Sequence, residues 1–143
     1  MTTEELLIFA EQKGHEVIYA DLPETKSLSF ESSDCYIGLD KSLYGIEEKE
    51  RLAHELGHCE YAGFYEIRSD YFSRQKIESR ARKWAFLKVL PIADIKKALR
   101  AGYCETWELA ELFDVSPRFL CEALEYYRSA GALFDIVFDE LIA

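Results

Sequence analysis

No run of about 18 consecutive apolar residues occurs, which excludes an ordinary membrane-spanning helix. A basic leader is also missing. The start, Met1-Thr2-Thr3-Glu4-Glu5, is not the cationic opening of a secretory signal, so cytoplasmic residence is expected. Cys35, Cys59, Cys104 and Cys121 show no Cys-x-x-Cys spacing. They read as buried or free thiols rather than as a disulfide framework or a structural zinc cluster. No repeat or low-complexity linker divides the chain, and 143 residues at 49% apolar content suffice for one globular domain, 1–143, with a real core.

Positive charge is scarce overall, with a net charge of −10, and unevenly placed. Residues 74–100 hold nine Lys or Arg against two acids, whereas residues 104–143 hold two against nine. Pairing within the molecule is the simpler reading of that asymmetry. The acidic end bears on the stretch from Leu109 to Leu120, which has the look of a helix-turn-helix. A DNA reader would be basic there, so direct nucleic-acid binding is not expected and a packing role is.

Hydrophobic periodicity and punctuation predict an α+β fold. Thr2 and Glu5 form a capping box for a first helix through about Lys13, which Gly14 ends. Three short β-type runs follow, Val17–Tyr19, Leu28–Phe30 and Cys35–Leu39, and suggest a small antiparallel sheet. An exposed edge on the last strand would offer an extended substrate a place to pair. Glu47 to Tyr61 reads as one helix, with Leu52, Leu56 and Cys59 as its buried stripe. Another helix contains the run Glu78 to Leu87, and Pro91 breaks it. These elements make residues 1–91 a sheet with two long helices. Residues 92–143 form a helical module: Ile92 to Leu99, a helix capped by Thr106, and one opened by Ser116 and Pro117. A final stripe of Leu133, Phe134, Val137, Phe138 and Leu141 finishes the core or meets a partner.

Within this frame His54-Glu55-Leu56-Gly57-His58 carries the chemistry. On a helix, residues i and i+4 share a face, so His54 and His58 can grip one metal ion. Catalytic zinc takes three protein ligands and leaves a position for water, whose proton Glu55 can accept. For the third ligand, a metzincin would place Gly and His where Tyr61 and Phe64 stand, which excludes that class. Glu78 is the better candidate. Ala81 and Ala85 let its helix pack close to the histidines, whereas Glu66 and Asp70 lie in the connecting segment. Gly57 is costly in a helix, by about 1 kcal/mol, and so implies close approach of another chain segment. Tyr61 and Tyr65 follow His58 and can supply a phenolic hydrogen bond, although ordinary packing accounts for both.

These residues together resemble the ImmA/IrrE family of metallopeptidases. The resemblance covers most of the chain: a first helix, a small sheet, His54 to His58, then Glu78, Ala81, Trp84, Ala85 and Pro91, and the end from Leu109 to Leu120. It implies a zincin-like domain in which His54, His58 and Glu78 bind Zn²⁺ and Glu55 is the catalytic base. It further implies an endopeptidase that cleaves a helix-turn-helix transcriptional repressor, derepressing genes of a mobile element or stress response. Larger relatives carry a sensor domain absent from this sequence, so any stimulus is expected through a partner. Arg82 stands where the family often has Asn, and Lys88 interrupts its usual apolar run. The rival expectation is a binding partner of the anti-repressor or toxin–antitoxin type, which keeps the metal-site fold and does not cut.

Overall fold

The computed structural model describes residues 1–131, and the stripe from Leu133 to Leu141 lies outside the described residues. The chain divides into two compact units, Met1–Val89 and Leu90–Ala143. In the first, α1 (Thr3–Gln12) leads into three strands, β1 (Glu16–Ala20), β2 (Ser27–Glu31) and β3 (Cys35–Asp40). Then come α2 (Gly45–Gly57), a π-helical turn (His58–Ala62) and α3 (Tyr71–Val89). The Thr2 hydroxyl accepts the Glu5 N–H at 3.1 Å, so the predicted cap of α1 forms.

The sheet is mixed, not antiparallel as expected. Its order is β1-β3-β2, with β1 parallel and β2 antiparallel to β3. Burial explains the order. Cys35, Ile37 and Leu39 of β3 are all buried, whereas neither β1 nor β2 has a buried residue. The most deeply buried strand takes the centre, and only β2 and β3 form a hairpin. The expected edge on β3 does not exist. Among the described residues the outer edges belong to β1 and β2.

Asp40 anchors the link from β1 to β2. Its carboxylate accepts the Leu22 N–H at 2.7 Å, the Ser42 N–H at 3.1 Å and the Ser42 hydroxyl, and lies 3.6 Å from the Lys26 ammonium. The Ser42 hydroxyl, more than any other group, pulls its pKa from 3.8 to about 2; the Leu22 and Ser42 N–H groups and Lys26 add to it against the opposing effect of burial.

Leu52, Ala53 and Leu56 of α2 are fully buried, as are Leu6 and Ala10 of α1 and Ile37 and Leu39 of β3. Helix α3 begins well before Glu78 because Asp70 accepts the Ser73 N–H at 2.8 Å at its start. Where α2 passes α3, a Cβ on Gly57 would sit 2.5 Å from the Ala81 carbonyl oxygen and 3.0 Å from its Cα. The close approach implied by Gly57 is therefore made by the backbone of α3.

One reading of the cysteines is overturned. Cys35 and Cys59 form a disulfide, with Cα atoms 5.9 Å apart, while Cys104 and Cys121 are free and exposed. The pair is separated by 24 residues, a spacing with no motif, and meets only because the start of β3 lies against the π-helical turn that follows α2. Closing a loop of that length is worth roughly 3 kcal/mol through the unfolded state.

The second unit holds α4 (Ile92–Arg100), α5 (Thr106–Phe113) and α6 (Pro117–Ser129). Ser116 caps α6 by accepting the Phe119 N–H at 3.1 Å, as its Ser-Pro start predicts. Thr106 does not cap α5. Glu105 takes the cap position, without a side-chain bond, and Thr106 is the first helical residue. Asp114, left-handed at φ 54°, ends α5 ahead of the turn into α6. The Tyr127 hydroxyl donates to the Leu90 carbonyl at 2.8 Å, and burial pushes its pKa up to about 12, with Tyr126 adding to the rise.

Candidate metal centre

Helix α2 and the π-helical turn that continues it present His54 and His58 one turn apart, their ring centroids 5.0 Å from each other. Glu78, on α3, lies opposite both. Its Oε2 is 2.8 Å from His54 Nε2, and its Oε1 is 3.2 Å from His58 Nε2. One ligand atom from each residue falls within 4.8 Å of the other two. The three residues singled out by sequence are thus brought together, whereas Glu66 and Asp70 remain exposed on the connecting segment.

His58 is fixed from both sides. Its Nδ1–H donates to the Gly63 carbonyl at 2.8 Å, which leaves Nε2 as the nitrogen facing Glu78. Phe64 stacks on the ring at a centroid distance of 5.8 Å, occupying the place where a metzincin would put its third histidine. Burial alone would lower the His58 pKa, but hydrogen bonds to Glu78 and Gly63 and the charges of Glu78 and Glu55 outweigh it and the value rises. Glu78 moves the opposite way. Hydrogen bonds from His54 and His58 hold its carboxyl far below the usual range, against the opposing effect of burial.

Glu55 is buried to 7% exposure and points toward β2. The Ser29 hydroxyl donates to its Oε1 at 2.7 Å and the Ser27 hydroxyl to its Oε2 at 2.9 Å. Strand alternation puts both serines on the face of β2 that meets α2. Ser27 is itself held by the Arg51 guanidinium at 3.2 Å. Sequence reasoning missed this pair. Its only signal was the alternation Ser-Leu-Ser in a strand close before the metal helix. Tyr65, read as ordinary packing, is also in the site: burial, the charge of Glu78 and a hydrogen bond to Glu78 raise its pKa.

A cavity of about 320 Å³ opens among these groups, bounded by Ser27, Ser29, Glu55, Phe64, Tyr65 and the three converging side chains. The donor set fits zinc. Two imidazole nitrogens and a carboxylate oxygen at bonds of about 2.0–2.2 Å stand about 3.4 Å apart in a tetrahedron, so the 2.8 and 3.2 Å contacts need open only slightly. The Gly63 carbonyl already supplies the outer hydrogen bond that metal-binding imidazoles use.

The departures noted in the sequence lie away from the cavity. Arg82 is exposed, and the Lys88 ammonium sits over the Phe9 ring at 4.8 Å and the Trp84 ring at 5.7 Å. No helix among the described residues is long and apolar enough to cross a membrane. No curated protein and no solved structure matches the chain. The family model of the IrrE N-terminal-like domain matches residues 10–125. With His54, His58 and Glu78 inside that span, this chain belongs to the IrrE N-terminal-like family of peptidases.

Proposed function

We propose that the chain is a zinc-dependent endopeptidase, with His54, His58 and Glu78 as metal ligands and Glu55 as general base. One observation carries the reading: three ligand atoms within 4.8 Å of each other border a cavity that a buried carboxylate also lines. When bound, the ion supplies Lewis acidity, polarising a carbonyl and bringing the pKa of water to about 7.

The chain's own residues do the rest. Glu55 accepts the proton of the attacking water at a carboxylate oxygen and returns it to the leaving amine. Ser27 and Ser29 fix both oxygens of Glu55, and a carboxylate has spare lone pairs to take the water's proton as well. Tyr65, with its raised pKa, stays a phenol at neutral pH and keeps a proton to offer an oxyanion. The outer edge of β2, beside Ser27 and Ser29, supplies unpaired backbone groups that align an extended peptide by strand addition.

The substrate we propose is a helix-turn-helix repressor, cleaved in the cytoplasm to release genes of a mobile element or stress response. Family membership supports it, and a net charge of −10 suits a basic, DNA-binding partner. The test uses Glu55→Gln with a repressor encoded beside the gene, scoring new termini by mass spectrometry. The variant should keep its zinc and lose cleavage by at least about a hundredfold. Full cleavage by the variant, or by chelated wild type, would remove the mechanism. An intact repressor that stays bound to the wild type would favour a non-cleaving role.

A further inference from the structure

Away from the cavity, a second group of metal-ligating side chains meets at the start of the sheet. His15, Cys35 and Cys59 each bring a ligand atom within 4.8 Å of the other two. The register explains the meeting. Parallel pairing begins at Glu16 with Tyr36, so the residues just before them, His15 and Cys35, lie side by side. The π-helical turn brings Cys59 to Cys35 and places the Glu60 carboxylate 3.2 Å from His15 Nε2. Cys35 is 6% exposed, and the His15 and Glu60 side chains are 13% and 21% exposed.

We propose that His15, Cys35 and Cys59 hold a second, thiolate-based zinc site, with Glu60 beside His15, which the chain exchanges for the Cys35–Cys59 disulfide on oxidation. Two sulfurs and one imidazole make a thiolate-rich set of three ligands, and the Glu60 carboxylate, 3.2 Å from His15 Nε2, orients the imidazole. In a zinc tetrahedron two sulfurs stand about 3.8 Å apart. Cα atoms separated by 5.9 Å allow that spacing by side-chain rotation, without moving β3 or the turn. Binding two thiols releases two protons. Exchange takes a two-electron oxidant of the peroxide class: the two metal-bound thiolates, one hydrogen peroxide and two protons give the disulfide, two waters and the free ion. The site shares no ligand with His54, His58 and Glu78, so it stands whether or not the peptidase reading does.

Cobalt(II) is the probe, because sulfur-to-cobalt charge transfer reports thiolate ligation separately from nitrogen and oxygen ligation. The full chain is used with Cys104→Ser and Cys121→Ser, which removes the two other thiols. After reduction and removal of the reductant, it should bind two equivalents of cobalt, one of them with the charge-transfer band. Hydrogen peroxide should abolish the band, release one equivalent and consume two titratable thiols. His15→Ala keeps both cysteines and should weaken the banded site at least tenfold. His54→Ala with Glu78→Gln should lose the other equivalent and keep the band, which separates this site from the catalytic one. A reduced chain with both thiols titratable and no band, or a band unchanged by Cys35→Ser or His15→Ala, would overturn the proposal.

Discussion

Gly57→Ala tests whether the contact between α2 and α3 sets the metal centre. On an isolated helix the change would be favourable by about 1 kcal/mol. Here the new methyl would lie 2.5 Å from the Ala81 carbonyl oxygen and 3.0 Å from Ala81 Cα. Those are backbone atoms of a packed helix and cannot turn aside. Normal contact is about 3.5 Å, so the helices must part by the better part of an ångström, with an overpacking cost of about 1–3 kcal/mol. The net effect is destabilisation of up to about 2 kcal/mol after the propensity gain. Gly57 lies between His54 and His58 in sequence, and Ala81 is one turn beyond Glu78. The same parting therefore lengthens the 2.8 and 3.2 Å contacts between the histidines and Glu78. Urea denaturation of the metal-free protein, with zinc competition against a chromophoric chelator, measures both effects. We expect a lower midpoint and at least tenfold weaker zinc binding. A variant as stable as the wild type with unchanged zinc affinity would refute the reasoning.

Ser27→Ala with Ser29→Ala leaves Glu55 without the two hydroxyl bonds described above. Zinc content should be unchanged while kcat falls about 10- to 100-fold, corresponding to about 1.4–2.7 kcal/mol of misplaced base, measured by steady-state cleavage. Asp40 is the acid-sensitive point of the first unit. Its folded pKa of about 2 lies below its ordinary 3.8, so the stability it contributes is present above 3.8 and is lost as pH falls toward about 2. In urea melts across that range, Asp40→Asn should be less stable than wild type near neutrality, and the difference should shrink as the pH drops.

The part of the candidate metal centre on α2 was legible because its information is local. His54, Glu55 and His58 are fixed by helical spacing, and Gly57 and Ala81 marked where a second helix comes close. The strands were located by composition, but pairing depends on which strand is buried deepest, a property of the packed unit. Consecutive order suggested hairpins, and the burial of Ile37 and Leu39 placed β3 in the middle instead. Ser27, Ser29 and the Cys35–Cys59 bond escaped notice for a related reason. Each joins residues at least 24 apart, and nothing in their spacing announces the contact.

The π-helical turn connects these two kinds of feature. It ends where the Gly63 N–H donates to the His58 carbonyl at 2.9 Å, five residues back, while the His58 ring donates to the Gly63 carbonyl at 2.8 Å. The reciprocal pair closes only because Gly63 adopts φ 74° and ψ −159°, a region essentially confined to glycine. An ordinary α-turn would bond residue 62 to His58 and advance Cys59 by a larger angle about the axis. The widened turn both orients the imidazole and directs the next side chain to β3. The ring position of His58 and the pairing of Cys59 are thus consequences of one backbone feature, and a change in the turn alters both.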